Sequence, residues 1–365
     1  MKKIKRNENE LYWKRIQLIS FVLAVFIIIR HNSSVANYDF PLMASVYWAI
    51  KNSITEVAVP LFFLISGLHF FRNYSPLSQK RKLKSRVKSL LIPYLAWNSI
   101  YCVFYIITSL PVFTQYFIGR EKFEVTPLNV FMGCIFHNNC NSHFWFVFDL
   151  MVCVVLNFVV FYIIRSKIAG TIFLSILFVV IFIIGLALPV NIFYRTDAFF
   201  YYYLGAFLGM HYSKLFSKDV LWKQENETMT GTRKIFGLHF VYFLIGLICL
   251  FACVLLLLPG LHNGVKCFLI LLSAFGLWIL SSCCRFIGFN CLPQGGTTFL
   301  MYAAHGIIQP IIVKLIYLVF PKAGWMSFVN FLLSIVLTVI ACIGFRYLIK
   351  RFLPPIDKVL TGWRR

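Results

Sequence analysis

Acidic side chains are what this sequence most lacks: there are 12 aspartates and glutamates in 365 residues, against 35 lysines and arginines. Charged residues of both signs make up 13% of the chain and hydrophobic ones 60%, with a mean hydropathy of +0.80. So little charge cannot clothe a soluble domain, and the chain reads as a polytopic membrane protein. Other absences narrow the function. The sequence has no P-loop, dinucleotide-binding glycine fingerprint, lipidation box or internal repeat, and no nucleic-acid motif accompanies its net charge of +23. The apolar run after the basic start MKKIKRNENELYWKR ends at RHNSS with no small-residue cleavage site, so it reads as an uncleaved first helix.

What remains is an all-α pattern. Apolar segments over 15–30, 57–72, 89–109, 144–165, 170–190, 198–213, 236–258, 265–284, 297–320 and 325–349 predict ten membrane helices. They form one membrane domain over 15–349, between a basic N-terminus (1–14) and a basic tail (350–365). All but eight of the lysines and arginines then fall on one side, the exceptions being Arg30, Lys51, Arg120, Lys122, Arg195, Lys266, Lys314 and Lys322. By the positive-inside rule that side is cytoplasmic and holds both termini, which predicts a multi-pass protein of the cell membrane. The positive charge thus belongs beside anionic lipid headgroups, not nucleic acid.

Few residues in such a chain carry chemistry, and each has a structural reading beside the functional one. His31 closes the first apolar run. About fifteen residues at ~1.5 Å rise cover roughly 22 Å, which puts its imidazole at or just inside the far membrane face. There it is either a helix-end cap or a general base for an acceptor hydroxyl. Asn32 follows it. The second span, VPLFFLISGLHFFR (Val59–Arg72), contains Ser66 and Gly67, a small pair suited to close helix packing or to a hydrogen bond across helices. SQKRKLKSRVK (Ser78–Lys88) is the densest basic run. It is an orientation signal or, with Arg72, Lys82, Lys84 and Arg86, a grip for nucleotide phosphates such as those of coenzyme A. Asp149 is an acid within a span, where an ionisable group is a functional candidate with a partner to be found. His143, Trp145 and Phe146 lead into it as interface anchors or site residues. In the ninth span His305 lies between small residues and Gly306 and Pro310, which loosen the helix, and it either bridges helices or joins the site. The pair Gly205 and Gly209 has the spacing of a packing face. Cys134 and Cys140 share the segment GCIFHNNCNSHFW with His137 and His143, which permits a disulfide; the spacing is not that of a zinc finger, and no metal is expected.

Several of these pieces together resemble the integral-membrane acyltransferase-3 family. They are the run ending in His31, VPLFFLISG (Val59–Gly67), RVKSLLIPYLAW (Arg86–Trp97), HFWFVFDLMV (His143–Val152), FFYYYLGAFLG (Phe199–Gly209) and FLMYAAHGIIQP (Phe299–Pro310), in that order over about residues 11–345. The resemblance implies about ten helices and transfer of an acyl group, usually acetyl, from cytoplasmic acyl-CoA to a hydroxyl of a sugar or other envelope component. It implies that His31 is the essential histidine and that His305 matches a later one. A basic residue eleven positions before that histidine is usual in the family; here it is Ser20, leaving Arg15 or Arg30 to supply the charge. The expected site is therefore His31, His305 and Asp149 as catalytic residues, acetyl-CoA held by Arg72, Lys82, Lys84 and Arg86, and acceptor contacts from Asn32, Ser66, His143 and Trp145. His31 would take the hydroxyl proton or carry the acyl group itself. The rival readings are a transporter or flippase of an envelope intermediate and an inactive assembly partner.

Overall fold

The computed structural model describes residues 2–32, 41–72, 74–114, 124–135, 140–187, 194–213, 232–283, 293, 295–320 and 325–364, and every regular element among them is helical. In chain order the main helices are α1 (Lys2–Arg30), α2 (Pro41–Lys51), α3 (Ala58–Phe71), α4 (Gln79–Arg86) and α5 (Ile92–Ser109). Then come α6 (Pro127–Ile135), α7 (Trp145–Ile164), α8 (Lys167–Phe178), α9 (Thr196–His211), α10 (Thr232–Phe251) and α11 (Asn263–Cys283). Last are α12 (Gly295–Val319), α13 (Met326–Phe352) and the short α14 (Pro354–Thr361). Long apolar runs take this form because a backbone in hydrocarbon must satisfy its own hydrogen bonds.

Among the described residues, eight stretches are long and apolar enough to cross a bilayer: Tyr12–Arg30, Pro41–Phe71, Lys80–Ser109, Ser142–Ile164, Phe240–Leu257, Asn263–Ser282, Gly295–Val319 and Met326–Phe352. The other two expected spans are shorter helices. The fifth runs only from Lys167 through a π turn to Ile183, and the chain turns at Gly185 with φ +79. The sixth is the 16-residue α9. Its Tyr201, Tyr202 and Tyr203 are enclosed by protein, so its apolar character serves the core more than a lipid contact.

The core is centred on the crossing of α3 and α9. A Cβ on Gly205 would lie 2.0 Å from the Leu64 carbonyl oxygen, one on Gly67 2.0 Å from that of Tyr202, and one on Gly209 2.4 Å from that of Leu68. Three glycines thus bring the two backbones into direct contact, which explains both the Gly205–Gly209 spacing and the small residue at 67. Ser66 sits beside this contact, half-buried on α3.

α1 supplies a ruler for the bundle. At its start, Tyr12 packs edge-on to His69 at 5.8 Å and under the Arg72 guanidinium at 4.1 Å, both at the end of α3. At its finish, the Arg30 guanidinium bonds the Lys51 carbonyl at 2.9 Å and Glu56 at 2.8 Å. Nineteen residues separate Tyr12 from His31, roughly 28 Å of helix, so these two ends lie about a bilayer core apart.

Candidate functional site

Three imidazoles meet at the Arg30 end. His31 follows the last turn of α1, with its N–H still donating to the Ile27 carbonyl at 3.1 Å. His143 sits in the short 3-10 turn Ser142–Phe144 that precedes α7, and His305 projects from α12. Ring centroids are 4.3 Å apart for His31 and His143, 4.9 Å for His143 and His305, and 5.4 Å for His31 and His305. The sequence separates these residues by more than a hundred positions at each step, and the fold brings them together.

Neighbouring side chains fix the rings. His305 Nδ1 lies 2.6 Å from the Tyr302 carbonyl, which only accepts, so Nδ1 carries the hydrogen and Nε2 keeps its lone pair. That Nε2 is buried and has no hydrogen-bond partner among the described residues. The Tyr302 hydroxyl donates to the His143 carbonyl at 2.6 Å and holds the turn that carries that ring. Gln309 donates from Nε2 to the Ile28 carbonyl at 3.0 Å, satisfying one of the open carbonyls at the end of α1 just before His31. Tyr302, His305 and Gln309 lie one helical turn apart along α12, so one face carries both the ring and its supports. Gly306, next to His305, admits Tyr101: a Cβ there would meet the phenol oxygen at 2.6 Å, and that hydroxyl donates to the Ala303 carbonyl at 3.0 Å. α12 remains one helix through Pro310.

His31 is open to solvent on one side and crowded by protein on the others. That crowding, and next the neighbouring His143, His305, Arg30 and Lys51, press its pKa well below the ordinary 6.5. No acid is among these influences. The imidazole is therefore the free base at pH 7, with a lone pair to offer.

At the Tyr12 end lies a cavity of about 440 Å³ lined by cations. Lys82, Arg86 and Lys88 reach it from α4 and the π turn that follows, and His69 from α3; no carboxylate is among the described residues that line it. Lys82 Nζ also donates to the carbonyls of Phe70 and Arg72.

The model of the family described as "Acyltransferase domain" matches residues 13–347. The chain belongs to that family. No curated protein and no solved structure matches it. In this membrane acyltransferase, His31, His143 and His305 are the imidazoles that the fold brings together.

The remaining expected residues are distributed around this acyltransferase as follows. Asn32 is buried and donates from Nδ2 to Ser334 Oγ at 2.9 Å and to the Phe331 carbonyl at 3.4 Å, tying the end of α1 to α13. Asp149 is fully buried on α7, where one oxygen accepts the Tyr194 N–H at 2.9 Å and the other the Arg195 N–H at 3.0 Å. It thereby orders the segment leading into α9. Trp145 stacks on Tyr194 at 5.1 Å within the same arrangement. Lys82 and Arg86 line the cationic cavity, Arg72 lies against Tyr12, and Lys84 is exposed outside the lining. Arg15 donates to Ser281 Oγ at 3.1 Å and the Trp278 carbonyl at 2.8 Å, at the other end of α1 from His31. Arg30 and Lys51, at the His31 end, are the cations whose charge acts on His31.

The sequence reading did not single out Tyr302, Gln309 or the Arg30–Glu56 pair. The first two were legible only as residues three before and four after His305 on a helix. Cys134 and Cys140 are free thiols. His137, the fourth member of the grouping of two cysteines and two histidines, lies outside the described residues; His143 joins the imidazole cluster. The three imidazoles offer nitrogen atoms all within 4.8 Å of one another. A tetrahedral zinc with ~2.1 Å bonds needs ligand nitrogens roughly 3.4 Å apart, so the rings would have to close in to hold one.

Proposed function

We propose that this membrane acyltransferase moves an acetyl group from acetyl-CoA, bound at the cytoplasmic face, to a hydroxyl of a cell-envelope sugar or glycan, with both termini in the cytoplasm of a cell-membrane protein. The observation that carries this reading is the pairing of an imidazole cluster at one end of α1 with a cationic cavity at the other, which has no carboxylate among the described residues of its lining. Phosphates need the second and a thioester acyl transfer the first.

His31 accepts the proton of the acceptor hydroxyl as the oxygen attacks the thioester carbonyl, forming the new C–O bond. Collapse of the tetrahedral adduct breaks the C–S bond, and the proton passes from His31 to the departing thiolate. His143 and His305 contribute by position: they surround His31, and with no acid among the described groups that act on it the free base is the favoured form. A second cavity of about 450 Å³, lined in part by Asn52, Glu56, Arg195 and Asp197, opens beside the Arg30–Glu56 pair and gives a polar acceptor a route on that side.

The test uses purified protein in nanodiscs with radiolabelled acetyl-CoA and membrane extract as the acceptor source. Wild type should transfer label to a glycan, and a folded His31→Ala protein should transfer none. Undiminished turnover in that variant would remove His31 from the reaction; hydrolysis or transfer by neither protein would favour the transporter or inactive-partner readings.

A further inference from the structure

The cationic cavity has a wall that the family match does not reach. Matching ends at residue 347, whereas Gly362, Trp363 and Arg364 line the cavity together with Lys82, Arg86 and Lys88. We infer that residues 362–364, at the end of the C-terminal segment, are part of the donor site, where Arg364 binds phosphate and Trp363 stacks on the base of a nucleotide-bearing acyl donor. This rests on the acyl-CoA reading above and extends it to residues outside the shared domain.

The segment is fastened in place by specific contacts. Arg346 on α13 donates from Nε to Asp357 Oδ1 at 3.4 Å and from Nη2 to the Arg364 carbonyl at 3.4 Å. Trp97 Nε1 on α5 donates to the Leu360 carbonyl at 3.0 Å. α14 ends in a Schellman arrangement, with the Trp363 N–H donating to the Lys358 carbonyl at 2.9 Å and the Gly362 N–H to that of Val359 at 3.4 Å. Gly362 has φ +63, and a Cβ there would lie 2.7 Å from the Ser89 carbonyl, so the turn is pressed against the cavity wall. The cap requires only one left-handed residue. Trp363 is a second, with φ 57, an unusual conformation for a bulky side chain and a sign that its placement is imposed.

A tail that served only as a membrane anchor would send its arginine to headgroups or to a carboxylate. Arg364 instead lies with Cζ 4.0 Å from the centroid of Phe299, donates from Nη1 to the Thr361 carbonyl at 2.9 Å, and faces a cavity that already holds three other cations. Burial, and after it the Arg86 charge, oppose the protonated form of Arg364. Four like charges brought together, with no carboxylate among the described residues of the lining, are balanced when an anion occupies the cavity. Other groups are suited to the same ligand. The His69 ring lines the cavity with a buried Nε2 that has no hydrogen-bond partner among the described residues. The half-exposed indole of Trp363 has Lys88 Nζ 5.9 Å from its centroid, placing a flat stacking surface beside the phosphate grip.

An anionic lipid headgroup shares the phosphate but not the base, and the experiment separates them. Full-length protein in phosphatidylcholine nanodiscs is titrated with coenzyme A and with inorganic diphosphate. The titration is repeated in discs containing phosphatidylglycerol, for wild type, Arg364→Gln, Arg364→Lys, Trp363→Ala and the exposed control Lys358→Gln. Thermal unfolding of each variant checks folding. We expect Arg364→Gln to weaken coenzyme A binding at least tenfold and raise KM for acetyl-CoA with kcat little changed. Arg364→Lys should recover part of the loss, Trp363→Ala should weaken coenzyme A but not diphosphate, and Lys358→Gln should stay within twofold of wild type. Wild-type affinity in both folded Arg364→Gln and Trp363→Ala overturns the inference while leaving the acyl-CoA reading intact. So does an Arg364 effect confined to phosphatidylglycerol discs. A wild-type protein that binds no coenzyme A and transfers no acetyl overturns both.

Discussion

Replacing Gly205 with alanine tests the crossing on which the bundle is built. The added methyl would sit 2.0 Å from the Leu64 carbonyl oxygen, about 1.4 Å inside the 3.4 Å of ordinary contact. A backbone carbonyl in the middle of α3 cannot swing aside as a side-chain tip can, so α3 and α9 must part or tilt along their contact. Overpacking of this kind costs about 3 kcal/mol, the upper part of its usual range, or roughly a hundredfold in the folded-to-unfolded ratio. Gly344 provides the control: it lies within a helix, α13, and a Cβ there has nothing within 4 Å. Gly344→Ala should be neutral or stabilising by up to about 1 kcal/mol. Equilibrium unfolding in mixed micelles, followed by tryptophan fluorescence, measures both. Gly67→Ala, 2.0 Å from the Tyr202 carbonyl, should cost as much as Gly205→Ala. The double variant should cost less than the sum, because one separation of the helices admits both methyls. A Gly205→Ala protein within about 0.5 kcal/mol of wild type would refute the close crossing.

Other expectations concern the imidazoles. Since the His31 pKa is lowered, its free base persists below the ordinary 6.5. Transfer should therefore be level from pH 7 down to 6.5 and fall only at lower pH as the ring gains its proton. An acid limb in kcat/KM with its midpoint at or above 6.5 would contradict this. Tyr302→Phe removes the 2.6 Å hydrogen bond to the His143 carbonyl, which should lower stability by about 1 kcal/mol and transfer by roughly tenfold, through the released turn. An unchanged rate would show that His143 needs no such support. Prolonged dialysis against a zinc chelator should leave transfer intact; activity lost on chelation and restored by zinc would convert the three imidazoles from a base cluster to a metal site.

How far the sequence reaches is clearest at particular residues. The all-α membrane class followed from composition, because a chain this apolar has no alternative to internally bonded helices. The glycine face of Gly205 and Gly209 was legible by spacing alone, since i and i+4 share a helix side; its partner on α3 was not. His31 drew attention because a titratable ring at the end of an apolar run is costly. His305 stood out among small residues for a similar reason, and the order of motifs pointed to the family. Tertiary structure decided what periodicity cannot carry. That His31, His143 and His305 converge depends on how α1, α7 and α12 pack, and no local rule encodes a contact across 162 positions. Asp149 stood out in the sequence as an isolated acid, but only the folded chain shows its two oxygens taken by the Tyr194 and Arg195 N–H groups. The same holds for the tail. Read alone, its lysines and arginines are an orientation signal; packed against α5 and α13, Arg364 becomes part of a cavity whose other cations lie nearly three hundred residues away. Hydropathy and helical period fix what each segment is, because they act within it, and packing fixes which side chains meet, because only the enclosed core determines how segments approach.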